Sequence, residues 1–183
     1  MVVLWAAPVD DFAKGLTAGM SLTYESEGIA QSPWHVDTVQ FGASVGGKSS
    51  VVRVVQRMRA DAPPTARAFL VENDVLSLWD AANSQWRRQR PLAPRREIEV
   101  PQANGDTARV TTADTSYAHV GERKILVLQT TFLTRNRAGR VVRRLTEEYA
   151  PSLATAVSGV FEVADSASGA WRTTQRFRLV AIK

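Results

Sequence analysis

The chain of 183 residues contains no cysteine, only two histidines and no long uninterrupted apolar run. The absence of cysteine excludes a disulfide framework, thiolate metal sites, iron–sulfur clusters and cysteine catalysis. No apolar run approaches the roughly 18 residues that a membrane-spanning helix needs. His35 and His119 have no second ligand at a metal-binding spacing, so we predict no metal site, no cofactor and no catalytic residue. The sequence also lacks the Gly-x-Ser-x-Gly elbow on which a serine hydrolase would depend.

Apolar residues make up 44% of the chain and charged residues 22%, a balance that excludes intrinsic disorder. A chain of this length forms a core that needs neither disulfides nor metal. Because no repeat or linker is present, we predict a single all-β domain over residues 1–183, with residues 1–18 as a lead-in. Residues 10–16 would form one or two helical turns there, too short to contribute to the core.

The net charge of +5 and the pI near 10.1 come almost entirely from arginine, since the chain has nineteen Arg and four Lys. Two clusters stand out: Arg87, Arg88, Arg90, Arg95, Arg96, and then Arg135, Arg137, Arg140, Arg143, Arg144. No recognition helix, zinc finger or aromatic RNA-binding motif accompanies them, so we expect no specific nucleic-acid partner. We interpret the clusters as solvated strand and loop surface, with a membrane surface or another anionic partner as the alternative.

From residue 19 onward the apolar residues recur with a period of two, which is typical of β-strands. About ten such segments follow one another at intervals of roughly a dozen residues, with turn residues between them. The segment 124–133 is apolar on both faces, which favours a closed or strongly curved sheet. We therefore predict an all-β fold, an antiparallel β-barrel or a strongly curved half-barrel, with at most one short N-terminal helix.

Three segments are predicted to be loops. Residues 91–101 contain Pro91, Pro94 and Pro101 and would form an extended crossing loop, because proline cannot donate to a β-ladder. Residues 117–121, with His119, are the second. The third is 42–50, in which residues 42–49 match the written pattern of a phosphate-binding loop. A strand follows where that motif requires a helix, so we interpret this loop as a hairpin tip.

Two acidic pairs, Glu25 with Glu27 and Glu147 with Glu148, could in principle perform acid–base chemistry. Adjacent strand residues point to opposite faces, so Glu147 and Glu148 cannot act together. Glu25 and Glu27 share a face but lie at a strand end, where solvent is close. We expect solvated edge positions for these carboxylates.

The aromatic residues are the strongest candidates for a binding function. Trp79 and Trp86 lie on either side of a short polar turn and are expected to pair on one sheet face. Such a pair could belong to the core, or it could line a cavity that binds an apolar ligand. Trp34, Tyr24 and Tyr149 are predicted to complete the lining of that cavity.

One resemblance covers the order of elements over most of the chain. Residues 148–151 read Glu-Tyr-Ala-Pro, and the chain ends in the alternating strand Phe-Arg-Leu-Val-Ala-Ile of residues 177–182. This arrangement resembles the closing hairpin of bacterial exported and lipoprotein-type half-barrel domains, which carry a Tyr-Ala-Pro-Gly-x-Gly-like corner. Ser152 and Ala154 stand where the glycines of that corner would be. The resemblance implies a curved antiparallel sheet around an apolar interior.

Three functions are compatible with these observations. The first is a non-catalytic exported or cell-envelope domain that binds an apolar or amphipathic ligand, or a protein partner. The second is a small barrel enzyme of the cyclase or isomerase type, which needs neither a metal nor a triad. The third is a surface-assembly subunit whose strand edges pair between copies. The location would be periplasmic or exported if a signal preceded residue 1, and cytoplasmic otherwise.

Overall fold

The alternation of apolar and polar side chains produces a β-sheet over nearly the whole described chain. The computed structural model describes residues 10–166 and 168–183, and one antiparallel sheet of thirteen strands runs through them. The first half of the predicted lead-in, residues 1–9, lies outside the described residues. The strands are β1 (Ser21–Ser26), β2 (Ile29–Ala30), β3 (Trp34–Val45), β4 (Lys48–Arg57), β5 (Thr65–Glu72), β6 (Val75–Asp80), β7 (Gln85–Pro91), β8 (Arg96–Pro101), β9 (Thr107–Val120), β10 (Arg123–Arg135), β11 (Val141–Ala150), β12 (Thr155–Ala164) and β13 (Trp171–Ile182).

The sheet curves until its two ends meet. Its strand order is β7-β6-β5-β4-β3-β1-β13-β12-β11-β10-β9-β8, with β2 attached to β1 outside this path. The end strands β7 and β8 follow one another in the chain. Hydrogen bonds from Leu92 N to Asp74 O at 2.7 Å and from Thr112 Oγ1 to Pro91 O at 3.0 Å hold them beside the rest of the sheet. The predicted all-β, barrel-like fold is confirmed, with more strands than the ten expected.

The proline-rich crossing loop predicted at 91–101 is wrong in most of its length. Pro91 ends β7 and Pro101 ends β8, so that only residues 92–95 connect the two strands. β7 and β8 are the end strands of the sheet order, and there a proline can lack its N–H group without costing the sheet a hydrogen bond. The loop predicted at 117–121 is also wrong over most of its length, because β9 continues to Val120 and His119 pairs in register with Lys124.

The glycine-rich segment forms a tight hairpin between β3 and β4. Only Gly46 and Gly47 lie outside the strands, and both have positive φ angles, 55° and 75°. A two-residue turn with two positive φ angles matches the right-handed twist of the strands that it joins. Because a strand follows the turn, this segment is a hairpin tip, as predicted, but the loop predicted at 42–50 is wrong in its bounds, since residues 42–45 belong to β3 and residues 48–50 to β4.

Buried apolar side chains form a main core and two satellite clusters. The main core includes residues from both halves of the sheet, such as Leu22, Phe69, Leu128 and Leu179. One satellite packs Val75 of β6 against residues of β8 and β9, across the ends of the sheet. The other contains Ala43, Val51, Ala68 and Leu70, with Trp79 and Trp86 packed against it.

The segment before β1 belongs to the core, contrary to expectation. Residues 10–15 form consecutive turns, and Phe12, Ala13 and Leu16 are buried in the main core. Ala13 N donates to Pro151 O at 2.9 Å, and Gly15 N donates to Ser152 O at 2.8 Å. These bonds attach the segment to the 3₁₀ turn Pro151–Leu153. Its three apolar side chains contribute to the core although the segment is too short for a helix.

Helices of the length and apolarity needed to cross a bilayer are absent from residues 10–166 and 168–183.

Candidate functional site

An open cleft forms where β1 separates from β3. The two strands pair only through Ser21 with His35 and Leu22 with Trp34, and β1 then pairs with β2 instead. The space between them is a cleft of about 840 Å³. Its walls come from β1, the β2–β3 connection, the segment after β4, and the paired strands β12 and β13.

Three aromatic rings line one side of the cleft. The Tyr24 ring lies 5.3 Å from the Trp34 ring and 6.2 Å from the Phe177 ring, measured between centroids. Both arrangements are inclined, at 49° and 61°, which is favourable for aromatic pairs. Trp34 and Phe177 are half-buried, so their faces remain available to a ligand.

Tyr24 is fixed in this position by its hydroxyl group. The hydroxyl donates to Ala156 O at 2.9 Å and shares a hydrogen bond with Thr155 Oγ1 at 2.8 Å. Burial of the ring raises the pKa of Tyr24, so the phenol is neutral at physiological pH. The side chain therefore presents a rigid apolar surface to the cleft.

Gly159 makes room for the Phe177 ring. The two residues are paired in register on β12 and β13. A Cβ atom at position 159 would lie 2.6 Å from two carbons of the Phe177 ring. The absence of a side chain on β12 thus lets the ring lie across the sheet, where it forms part of the cleft wall.

The remaining lining is mostly polar. Gln31, Ser32, Gln175 and Thr155 contribute amide and hydroxyl groups, and Met58 and Arg59 come from the segment after β4. Arg59 Nε is 3.5 Å from Asp61 Oδ1, and both side chains are largely exposed. An apolar wall with a few polar groups around it is typical of small-molecule sites.

A smaller cavity of about 20 Å³ lies beside the cleft. Trp34 and Thr155 line both spaces. Apolar side chains of the main core, among them Val54, Phe69 and Leu153, form most of the small cavity, and Arg67 is the only charged residue among the described residues that line it. The cleft thus borders on the apolar interior at Trp34.

The structure separates the five aromatic residues predicted to bind a ligand. Tyr24 and Trp34 lie together in the cleft. Tyr149 is buried in the core, 3% exposed, and Trp79 and Trp86 pack in a satellite cluster. Neither of these two groups lines the cleft. Sequence reasoning missed Phe177, because the run of exposed residues 172–176 before it on β13 gave no indication of a binding role.

Trp79 and Trp86 form the cross-strand pair that the turn between them predicts. They are directly opposite in the β6–β7 ladder, with ring centroids 5.3 Å apart at 59°. The β3–β4 hairpin packs on this pair, because a Cβ atom at Gly46 would overlap the six-membered ring of Trp79. Whether this pair contacts a ligand stays a prediction.

A polar cluster separate from the cleft lies inside the barrel. It contains Glu147, a carboxylate that was expected to be solvated, and this expectation is wrong. Glu147 of β11 is only 5% exposed and forms an ion pair with Arg90 of β7. The Arg90 guanidinium also stacks on Tyr149 at 4.0 Å and on Phe132 at 5.1 Å. Burial lowers the pKa of Arg90 to about 10, which leaves it protonated at neutral pH. Glu147 is buried because it shares its strand face with Tyr149, two residues away.

The alternation argument itself holds for the acidic pair. Glu148 points away from Glu147 and accepts a hydrogen bond from Ser158 Oγ at 2.8 Å. The spacing of Glu147 and Tyr149 was therefore a usable signal for an inward carboxylate. Its partner Arg90 was expected at the solvated surface with its arginine cluster, and this is wrong; β7 carries arginine at positions 87, 88 and 90, so its sequence shows no apolar alternation that would mark the inward one.

Residues 10–166 and 168–183 contain no group of three or more His, Cys, Asp or Glu side chains placed to hold a metal ion. The side chains that line the cleft are aromatic, amide and hydroxyl groups with one guanidinium, and they offer contact area and hydrogen bonds. A ligand with an apolar body would fit such a surface.

No protein-family model matches the sequence, and no curated protein is similar to it. In structure the chain is similar to a solved protein from Bacteroides fragilis, described as a "putative exported protein with YmcC-like fold". The similarity covers 94% of this chain and 99% of that chain, with a TM-score of 0.52 and 11% sequence identity. At this sequence identity the similarity shows the fold alone: this chain has a fold similar to that of the YmcC-like protein.

Proposed function

We propose that this protein is a non-catalytic exported domain that binds an apolar or amphipathic small molecule in the cleft between β1 and β3. The observation that carries this proposal is the cleft of about 840 Å³ with Tyr24, Trp34 and Phe177 on one wall. Its size falls within the range of pockets that hold drug-sized ligands, roughly 300–1,000 Å³.

Two further features support the proposal. The cleft wall is preformed, because Tyr24 is held by two hydrogen bonds and the Phe177 ring rests on Gly159. A preformed site loses less conformational entropy on binding than a site that must order its side chains. Export is supported by the description of the Bacteroides fragilis neighbour, which has the same type of fold.

Binding is tested with the neutral fluorescent probe N-phenyl-1-naphthylamine. We expect saturable binding to the protein and at least about a tenfold higher Kd for Trp34→Ala, because the ring is a major part of the apolar wall. Trp171→Ala is the matched control, since Trp171 lies at the start of β13, stacked under Arg144 at 4.6 Å. The control is expected to bind the probe like the wild type.

The same titration decides between the two groups of predicted aromatic residues. Trp79→Ala is expected to destabilise the satellite cluster while leaving the Kd of the probe unchanged. A Kd that rises for Trp79→Ala and stays constant for Trp34→Ala would place the ligand at the tryptophan pair instead. Absence of saturable binding to the wild type would contradict the proposed function.

A further inference from the structure

Arg67 is a cation on the inward face of the sheet. It lies on β5, directly opposite Val54 of β4, and Phe69 follows two residues later on the same face. Val54 and Phe69 are buried in the main core, whereas Arg67 is exposed. The side chain lines the small cavity that shares Trp34 and Thr155 with the cleft. An apolar strand face therefore ends in a charged group beside the proposed ligand site.

The charge of Arg67 is not balanced by the protein. By contrast, Arg57 of β4 and Arg178 of β13 are paired with Asp37 and Glu25. The Arg67 side chain has no ion pair or hydrogen bond to a residue in the ranges 10–166 and 168–183. Because the Arg67 side chain is exposed and has no acidic partner, its guanidinium is free to pair with an anionic group of a ligand.

Two tyrosines near Arg67 do not supply that anion. Burial raises the pKa of Tyr24, and it raises the pKa of Tyr149 to about 12, although the Arg67 charge acts in the opposite direction on both. Both phenols are consequently neutral at physiological pH. Arg67 thus acts electrostatically on Tyr24, which belongs to the aromatic wall, and on Tyr149 in the core.

We propose that the ligand of the cleft is an anionic amphiphile, whose carboxylate or phosphate head pairs with Arg67 while its apolar chain lies against Trp34 and Phe177. This inference rests on the proposed function and adds the charge of the ligand to it. Arg59 is a weaker candidate for the head group, because it already faces Asp61 at 3.5 Å. A planar guanidinium can bind either head group through two parallel hydrogen bonds.

The inference is tested with cis-parinaric acid and its methyl ester, two fluorescent probes that have the same chain and differ only in charge. We expect the acid to bind about tenfold more tightly than the ester, with an advantage that shrinks as salt is raised. Arg67→Gln is expected to abolish this difference by weakening the acid alone. Arg53→Gln is the matched control, because Arg53 pairs with Ala68 and points to the opposite face of the sheet.

Each result has a distinct meaning. If the acid and the ester bind equally well and Arg67→Gln changes neither Kd, the anionic ligand is excluded while the proposed function stands. Loss of the difference in Arg59→Gln instead of Arg67→Gln would overturn the assignment to Arg67. Millimolar inorganic phosphate is expected not to displace the acid; efficient displacement would indicate a small free anion and contradict the amphiphile. Failure of both probes to bind would contradict the proposed function itself.

Discussion

Tyr24 and Tyr149 are both buried, yet their hydroxyl groups have different surroundings. The Tyr24 hydroxyl has two hydrogen-bond partners, Thr155 Oγ1 and Ala156 O. The Tyr149 hydroxyl has no partner among the described residues, while the Arg90 guanidinium lies over its ring at 4.0 Å. The first residue thus depends on its hydroxyl group and the second on its ring.

Removing each hydroxyl group tests this difference. Tyr24→Phe is expected to lower the free energy of unfolding by about 1–2 kcal/mol, because it leaves the Ala156 carbonyl without its donor. Tyr149→Phe keeps the stacked ring and removes a desolvated hydroxyl, so we expect a change below about 0.5 kcal/mol. Denaturant unfolding of both variants provides the measurement. A larger loss for Tyr149→Phe than for Tyr24→Phe would contradict this account of the two hydroxyl groups.

Tyr149 also makes stability depend on alkaline pH. Its pKa is raised by burial to about 12 in the folded protein and is near 10 in an unfolded chain. Between these values the Tyr149 phenol loses its proton in the unfolded chain and keeps it in the folded protein, so the contribution of Tyr149 to the free energy of unfolding falls as pH rises. From pH 9 to pH 11 this loss is about 1 kcal/mol. We expect Tyr149→Phe to lose less stability than the wild type over this interval, and equal losses would be inconsistent with a neutral buried phenol.

At the scale of single elements, the β3–β4 hairpin depends on two glycines for different reasons. Both Gly46 and Gly47 have positive φ angles, which are strained for residues with a side chain. Only Gly46 also touches Trp79, and a Cβ atom at Gly47 would have no neighbour within 4 Å. The hairpin tip is therefore packed on the tryptophan pair through one of its two residues.

Alanine at each position separates backbone strain from packing. Gly47→Ala is expected to cost about 1 kcal/mol of unfolding free energy, which is the backbone term alone. Gly46→Ala is expected to cost the same backbone strain and, in addition, overpacking against Trp79, so that the free energy of unfolding falls by about 2–4 kcal/mol in total. The measurement is chemical unfolding of both variants, with Trp fluorescence as the probe. Similar losses at the two positions would mean that the hairpin moves off Trp79 without cost.

Strand positions were predictable from the sequence where side chains alternate. In β8 the buried residues Ile98 and Val100 alternate with the exposed residues Glu97 and Glu99, so the sequence of this strand shows the period of two. It was hidden by Pro94 and Pro101, because proline excludes a segment from a central strand and only the sheet order shows β8 at an end. The end of β9 was obscured by Gly121, a turn residue that directly follows the strand.

At the scale of the whole molecule, the cleft could be predicted only in part. Tyr24 and Trp34 belong to neighbouring segments and were expected to line a cavity, but Phe177 lies more than a hundred positions further along the chain. It reaches the cleft because β13, the last strand along the sequence, pairs with β1, the first. No local pattern encodes that pairing, so the third ring could not be assigned.

Closure of the barrel has a polar component of the same long-range kind. Arg90 lies on β7, at one end of the sheet order, and Glu147 lies on β11, close to the other end. Their ion pair crosses the interior, with the guanidinium between Tyr149 and Phe132. In register, Glu147 is flanked by Thr130 of β10 and Gly159 of β12, neither of which can replace the arginine as a counter-charge.

A buried pair of this kind is costly to break but not to replace. Arg90→Met is expected to lower the free energy of unfolding by about 3–5 kcal/mol, because it leaves the Glu147 carboxylate buried without its partner. The double variant Arg90→Met with Glu147→Leu leaves no unpaired charge and is expected to recover most of this loss. Arg109→Met is the control, since its pair with Glu97 is solvent-exposed and its removal should cost far less. Denaturant unfolding gives the energies, and amide hydrogen exchange over β7 reports whether the end strand has opened. Additive effects of the two substitutions, without recovery in the double variant, would contradict a direct pairing of Arg90 with Glu147.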